Sequence, residues 1–566
     1  MAGTGGGPSG WWMHHGDETH SGFAAEALID AGNIRHLALL HEMTLDGPVL
    51  STPAVVDGFV FVGVANSREA VGQNGGAFYK IALETGKVAA VFHWDIPAGE
   101  RDTHGFCGMG CTPAVRDGRV WFSAFNGKLY CLSSETLALI HVVDLRYADA
   151  LHAQPVTNDI GAEQGLPPAA GWSSPVVAGG KVYVGMGEGE NPFLFGFVYC
   201  LDAATGNVEW IFCTCKFEPN RDNRPNELPA ITVRNDPPPG YTTFDGDPVC
   251  RGCSVWGSIA YDAALDRIYC PTGNPVPDSE LPSAGYSNGL IALDAKTGAF
   301  KGFTQFPAES SYRPTDIDVD VGGSPTLFTD RAGTRLVGLG CKNGSYMLMD
   351  AATLSIVRWR QMLPFHRDGS RIATVDPHAP AAVLNNNVMN PFVPNEVSDR
   401  NQGENYCGTY STAAYHPGLD TLFVGLGGNN YHPLAPGIDT PTTPFLRALR
   451  SDDLQDAWPE DDGDPPRYKN GRPPFYTRDK ESGLALPAVA NDVVFMTTSR
   501  LALYGFHAQD GSLLWQDLLG LESGGFNGGY GYCLGPAVFR DYVVTGSLIM
   551  GKKAGSLRIY KLRLTP

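Results

Sequence analysis

The stretch Ser51-Thr52-Pro53-Ala54-Val55-Val56-Asp57-Gly58-Phe59-Val60-Phe61-Val62-Gly63, with Ile81-Ala82-Leu83-Glu84-Thr85-Gly86-Lys87 after it, decides the fold. A small residue and a proline open an alternating apolar run. Asp-Gly then turns the chain into a second run, the signature of a hairpin. The pattern returns at Cys111-Thr112-Pro113-Ala114-Val115-Arg116-Asp117-Gly118-Arg119-Val120-Trp121-Phe122, with Leu129 to Leu137 behind it. A third copy runs from Ser173 to Gly185 and continues as Leu201-Asp202-Ala203-Ala204-Thr205-Gly206-Asn207-Val208-Glu209-Trp210. Later copies begin near Ser254, Gly322, Thr409, Leu484 and Leu534, giving eight in all.

Units of roughly 40 residues or more, built of short strands, cannot each bury both sheet faces alone. Arranged radially they pack face to face and lose most exposed edges. The expectation is an all-β chain: an eight-bladed β-propeller of four-stranded antiparallel blades with long capping loops. The run His36 to Met43 supplies an amino-terminal strand that closes the last blade. Trp210, Trp359, Trp458 and Trp515 each follow a Leu-Asp-Ala-Thr-Gly-like turn and are expected to wedge neighbouring blades together. Residues 1–566 form one domain on this reading, with an amino-terminal segment at 1–30 and insertions at about 213–252, 365–405 and 430–480. Insertions of that length on a propeller are expected to cap one face and carry function.

Composition sets outer limits. The 566 residues are 43% hydrophobic, ample for a core, and 69 Gly with 42 Pro match many turns. Lys+Arg number 41 against 60 Asp+Glu, a formal net charge of -19 without a basic stripe. Nucleic acid is therefore not an expected partner. No run approaches the roughly 18 apolar residues needed to cross a bilayer. Met1 to Gly10 lacks the charged and apolar regions of a secretory signal. The expected location is periplasmic or secreted if a signal has been removed, and otherwise cytoplasmic. His14, His15 and His20 have the imidazoles of a metal site, but an amino-terminal run of this kind is expected to be exposed.

Between Ser254 and Gly344 the chain places Trp256 in Trp-Gly-Ser-Ile-Ala-Tyr-Asp, Asn274 in Thr-Gly-Asn-Pro-Val-Pro, Asp316, Asp318 and Asp320 before Gly-Gly-Ser-Pro, and Lys342 in Cys-Lys-Asn-Gly. A flat aromatic, an amide oxygen, carboxylates and an ammonium thus recur at one point of successive units. In a ring they converge on the axis. With the repeats, these segments resemble the quinoprotein alcohol dehydrogenases, whose members bind pyrroloquinoline quinone (PQQ) and a calcium or lanthanide ion on a propeller axis. The likeness covers essentially the whole chain, and Val319 to Pro325 is most similar to the polyvinyl alcohol dehydrogenase branch.

The resemblance implies a role for each position. Trp256 is the floor on which the quinone stacks, and Asn274 offers a hard cation its amide oxygen. Asp320 is the general base and also lies at the metal, with Asp318 as the fallback. Alternate residues of a strand share a face, so these acids sit together and need a cation between them. Lys342 bonds the quinone oxygens. Glu190 is the metal-binding acid, with Glu188 competing for the place. Ser173, Cys107 and Cys111 are counted among the positions around the quinone. The implied reaction is hydride transfer from an alcohol, secondary or polymeric ones included, to a metal-bound quinone. The partners are then a small-molecule or polymeric alcohol and an external electron acceptor, with the chain a monomer or homodimer.

Departures from the family pattern qualify this. Cys107-Gly108-Met109-Gly110-Cys111 stands where many members carry two adjacent cysteines, and can hold an ordinary disulfide or two free thiols. Thr409-Tyr410 replaces an Asn-Trp pair. No Cys-x-x-Cys-His occurs, so no c-type haem is attached to these residues and electrons leave by another carrier. Of the 12 cysteines, Cys131, Cys200, Cys270 and Cys341 sit in strand patterns as small hydrophobes. Cys213, Cys215, Cys250 and Cys253 bracket the first insertion and suit either two disulfides or a four-thiolate zinc site. The rival functions are a cofactor-free binding scaffold, and a propeller enzyme with another cofactor.

Overall fold

The computed structural model describes residues 9–67, 75–96, 107–145, 171–187, 196–214, 251–273, 286, 288–305, 321–341, 345–361, 411–426, 446–458, 485–498, 502–518, 535–549 and 554–563, with strand pieces at 232–234, 275–276, 460–461 and 467–468. Eight sheets formed by these residues stand in a ring as an eight-bladed β-propeller. The innermost strands, in order, are Ala54–Val56, Ala114–Arg116, Val176–Ala178, Ala260–Asp262, Thr326–Thr329, Ala414–His416, Ala488–Ala490 and Ala537–Phe539. Each touches the next, and the eighth touches the first. The expected closure holds: Leu37–Leu45 pairs antiparallel with Ala554–Leu562 as the outer strand of blade eight. Seven blades show four strands; blade six shows three among the described residues, with a Leu449–Asp456 bridge beyond the third.

Local chemistry explains the repeated hairpins. The first turn of blades one to three is Asp57-Gly58, Asp117-Gly118 or Gly179-Gly180, all at positive φ. That is the pair of left-handed residues a two-residue hairpin demands. The outer turns close differently. Asp202 takes the Ala204 and Thr205 amides at 3.1 and 2.9 Å, and Asp350 takes Ala352 and Thr353 at 3.0 and 2.8 Å. These are Asx turns, the reason an Asp recurs there. Tight turns of both kinds lie at one end of the blades. The longer connections, including every one that carries a candidate site residue, leave from the opposite end.

The expected wedges are present at three of the four tryptophans. Trp210 Nε1 donates to Ala295 O of the next blade at 3.3 Å, Trp458 Nε1 to Ala508 O at 2.9 Å, and Trp515 Nε1 to Leu37 O at 3.2 Å. Each indole thus seals the seam between two sheets and satisfies a carbonyl there. Gly298 and Gly511 lie under the first two rings, where a Cβ would come within 2.6 and 2.7 Å. Trp359 is half-buried and its Nε1 makes no such bond.

Two expectations need correction. The amino-terminal segment is not exposed: Trp11, Trp12, Met13, His14, His15 and His20 are all at most 5% exposed. It runs round the bore, pairing with or donating carbonyls to the inner strands. Gly10–Trp11 pairs with Val55–Val56, and then Trp12 O takes Val115 N, Glu18 O takes Tyr261 N, Thr19 O takes Leu327 N, Ser21 O takes Tyr415 N and Gly22 O takes Val489 N. The physical reason is the ring itself. Inner-strand amides facing the bore have no neighbouring strand, and buried backbone groups need partners. Second, one piece of the first insertion, Thr232–Arg234, is not a cap; it pairs parallel to Val208–Cys213 on the outer edge of blade three.

Candidate functional site

Blades three, four and five carry the described residues that flank the predicted positions. Val255 N donates to Met186 O at 3.1 Å, which seats the root of the Glu188–Glu190 connection beside Trp256. Gly273 N donates to Ser254 O at 2.8 Å, and Gly252 pairs with Pro275. The residues on both sides of Asn274 are therefore bonded to the segment that leads into Trp256. Ser258 N donates to Ser324 Oγ at 2.9 Å, tying blade four to the strand start that follows Asp320. Gly323 N reaches Gly340 O at 3.4 Å, and Cys341 N donates to Ser345 O across the turn holding Lys342.

Glycines mark these approaches. A Cβ on Gly185 would lie 2.2 Å from Val255 O, and one on Gly196 only 2.1 Å from Cys253 O. Both flank the connection that carries Glu188 and Glu190. A glycine inside a strand signals close backbone approach, so Gly185 was a readable sign that the end of its strand lies against Val255.

Trp256 is half-buried, whereas Ser254, Val255, Gly257 and Ser258 around it are buried. Two residues away, Ser254 Oγ is buried without a hydrogen-bond partner among the described residues. A half-buried indole two residues from an orphaned hydroxyl suits a planar polar group. Glu188, Glu190, Asn274, Asp316, Asp318, Asp320, Lys342 and Thr409-Tyr410 themselves lie outside the described residues, as do Cys215 and Cys250.

The remaining predicted positions are inside the fold. Ser173 is buried, and its Oγ accepts Gly185 N at 3.1 Å. Cys107 and Cys111 are buried. The Cys111 Sγ donates to Ser123 O at 3.2 Å, and burial pushes its pKa up to about 11, so it stays a neutral thiol. Cys213 and Cys253 are also buried, with Thr214 Oγ1 bonded to Cys253 O at 2.6 Å. Among the described residues, no cluster of three His, Cys, Asp or Glu has the geometry of a metal site. No helix among them is long and apolar enough to cross a membrane.

The bore also holds His14, His15 and His20, the three imidazoles considered from sequence as a metal site. His14 lies within 3.2 Å of Thr412 Oγ1 and 3.4 Å of Ser174 Oγ. His20 Nδ1 is 2.9 Å from Pro325 O, which makes it the protonated nitrogen and leaves Nε2, buried and without a partner, as a bare lone pair. His15 places Nδ1 2.9 Å from His20 O and Nε2 2.7 Å from Pro487 O. Burial lowers the pKa of all three: His14 well below its usual value, His20 to about 3, and His15 less, because two carbonyls and Asp17 oppose it.

Those shifts fix the sign of a pH effect. Below pH 6.5 the unfolded chain protonates these histidines while the folded bore does not, so the unfolded state binds more protons and stability falls as pH falls. The loss runs from about pH 6.5 down towards pH 3, at up to ~1.4 kcal/mol per pH unit for each group. Urea midpoints measured from pH 8 to pH 4.5 should drop steeply below about 6.5. His20→Gln should flatten that slope, and an unchanged slope would show that the imidazole is not buried as a neutral group.

A protein-family model described as a glucose/ethanol/alcohol dehydrogenase β-propeller domain, labelled PQQ, matches residues 142–353. That span contains Ser173, Glu190, Trp256, Asn274, Asp320 and Lys342. Similar curated proteins include lupanine 17-hydroxylase (cytochrome c) of a Pseudomonas species, 25% identical over 431 residues, covering 74% of this chain and 56% of the relative. A quinohemoprotein alcohol dehydrogenase of Pseudomonas putida is 26% identical over 368 residues, covering 60% and 46%. The dehydrogenase subunit of a quinone alcohol dehydrogenase of Gluconacetobacter polyoxogenes is 27% identical over 372 residues, covering 61% and 44%. The chain thus spans about half the length of these relatives. Among solved structures, the quinohemoprotein alcohol dehydrogenase of Comamonas testosteroni superposes with a TM-score of 0.63 at 17% identity, over 98% of this chain and 81% of that one. A europium-containing methanol dehydrogenase gives 0.64 at 16% identity, over 98% of both chains. The structural likenesses establish the fold, and over residues 142–353 and in its sequence relatives the chain is similar to the PQQ-dependent alcohol dehydrogenases.

Proposed function

We propose that this chain is a PQQ-dependent dehydrogenase acting on an alcohol, with the substrate entering from the long-connection face of a single propeller domain. The observation that carries the reading is the junction at Trp256. Val255 is bonded to the root of the Glu190 connection, and the residues flanking Asn274 are bonded to the segment leading into the half-open indole. PQQ with calcium or a lanthanide, when bound, supplies the redox chemistry and a Lewis acid.

The residues of the chain do the rest. Trp256 offers its open face as a stacking floor. Glu190, or Glu188, joins Asn274 and Asp320 as hard oxygen ligands. Asp320 takes the hydroxyl proton of the alcohol, and Asp318 beside it keeps the local charge negative enough to need the cation. Lys342 holds a positive charge near the cofactor oxygens. The Val319 to Pro325 run supports a secondary or polymeric alcohol as substrate. Electrons leave to an external acceptor, a reading in keeping with relatives named as a dehydrogenase subunit and with cytochrome c in the name. Family likeness also favours a periplasmic setting.

The test is reconstitution. The purified chain is incubated with PQQ plus calcium or lanthanum, and indole quenching and alcohol-dependent dye reduction are followed for primary, secondary and polymeric alcohols. One quinone bound per chain with dye reduction is the expected result, and Trp256→Ala should weaken binding by at least about tenfold, the loss of one good stacking contact. Neither binding nor reduction under any of these conditions would sink the proposal and favour a scaffold.

A further inference from the structure

We propose that His14 is a positioning residue for the axial site: by bridging the bore it sets the ring of hydroxyls from which Trp256 is hung. The inference rests on the reading above only in naming what the floor receives. The small residue before each inner strand, read from sequence as a strand start, carries a hydroxyl in most blades. Those hydroxyls accept the backbone amide of the preceding blade. Thr112 N donates to Ser174 Oγ at 3.0 Å, Ser174 N to Ser258 Oγ at 3.1 Å, Ser258 N to Ser324 Oγ at 2.9 Å and Ser324 N to Thr412 Oγ1 at 3.3 Å. Gly535 N continues the pattern to Thr52 Oγ1 at 2.8 Å. An arc of four such hydrogen bonds thus joins blades two to six, and a fifth joins blade eight to blade one, each link running from one blade to the next.

One imidazole crosses this ring. His14 lies against Ser174 of blade three and Thr412 of blade six, so the bore is narrow enough for a single side chain to reach both. Each hydroxyl already accepts an amide and has one proton left to place. A neutral imidazole offers one N–H and one lone pair, and so can donate to one hydroxyl and accept from the other. Burial keeps His14 neutral, the state that fits. Ser258 is the first of the two hydroxyls on the arc between those ends, and Trp256 is two residues before it, within a chain reach of about 7 Å. The height of the indole is therefore tied to the ring, and the ring is braced by His14.

Two variants separate bracing from bulk. His14→Leu keeps comparable volume and removes both nitrogens, whereas His14→Gln restores one donor and one acceptor. Native-state amide exchange on the full chain should show the Thr112, Ser174, Ser258 and Ser324 amides losing about tenfold protection in the Leu variant, the ratio that two neutral hydrogen bonds support. The Gln variant should recover most of it. PQQ affinity, read by indole quenching, should fall by about the same factor in His14→Leu, recover in His14→Gln, and fall similarly in Thr412→Val with no further loss in the double variant. Ring amides protected as in the wild type, or a uniform loss of protection across all blades, would overturn the proposal. So would wild-type PQQ affinity in His14→Leu. If the wild type binds no PQQ, the functional reading fails, while the exchange arm, which needs no quinone, still decides the role of His14.

Discussion

Asp320→Asn is expected to leave the chain folded and to lower kcat/KM by roughly 10²- to 10⁴-fold, the range a positioned general base contributes. The amide is isosteric but cannot take the proton of an alcohol. Because Asp320 is also a proposed metal ligand, some of the loss can come from a weaker cation site. Raising the calcium or lanthanum concentration separates the two: a ligand defect is rescued by mass action, whereas a base defect is not. Thermal midpoints within error of the wild type are part of the prediction, since the residue stands in a connection rather than in a blade core. Turnover retained within about tenfold at saturating metal would remove Asp320 from the role and pass it to Asp318.

Trp11→Ala should produce the largest loss of stability of any single substitution in the amino-terminal segment, roughly 3–5 kcal/mol. The indole is 2% exposed, with its backbone paired to Val55. Its ring lies 3.4 Å from where a Gly16 Cβ would be and meets His15 edge-on, with centroids 6.1 Å apart. It also belongs to the apolar cluster that joins blades seven, eight and one, the place where the ring closes. Truncation therefore leaves a cavity at the seam where blades seven, eight and one meet. Trp11→Phe is a sharper control. The indole Nε1 is buried without a partner, so the phenyl ring forfeits volume but no hydrogen bond. Urea titration should show a large fall in midpoint for alanine, with the slope unchanged, and a fall less than half as large for phenylalanine. Equal losses would mean that the Nε1 has a partner and that the reading of the seam is wrong.

Much of the architecture was legible because each repeat carries its own instructions. Asp57-Gly58 and Asp117-Gly118 specify their hairpins within a few residues, and Asp202 and Asp350 fold their own turns. The closing strand was legible too, because Leu37–Leu45 has strand character and no neighbour in sequence to pair with. The candidate site was legible through residue types at recurring positions. The sequence did not reveal which backbone groups draw those positions together. The bonds from Val255 to Met186 and from Gly273 to Ser254 join segments distant in sequence, and only Gly185 and Gly196 hinted at them.

The run from Gly10 to Gly22 shows the limit most clearly. Nothing periodic marks it, and three histidines with two acids read as a solvated segment. By itself the sequence determined the eight repeats, their turns and their closure, because these follow from patterns each repeat carries within a few residues. Only the tertiary structure decided that the amino-terminal segment fills the bore, that the residue before each inner strand belongs to a hydroxyl ring, and that His14 crosses it. The physical reason is that unpaired inner-strand amides and an axial void do not exist until eight blades have assembled, so no local signal can announce the segment that must satisfy them.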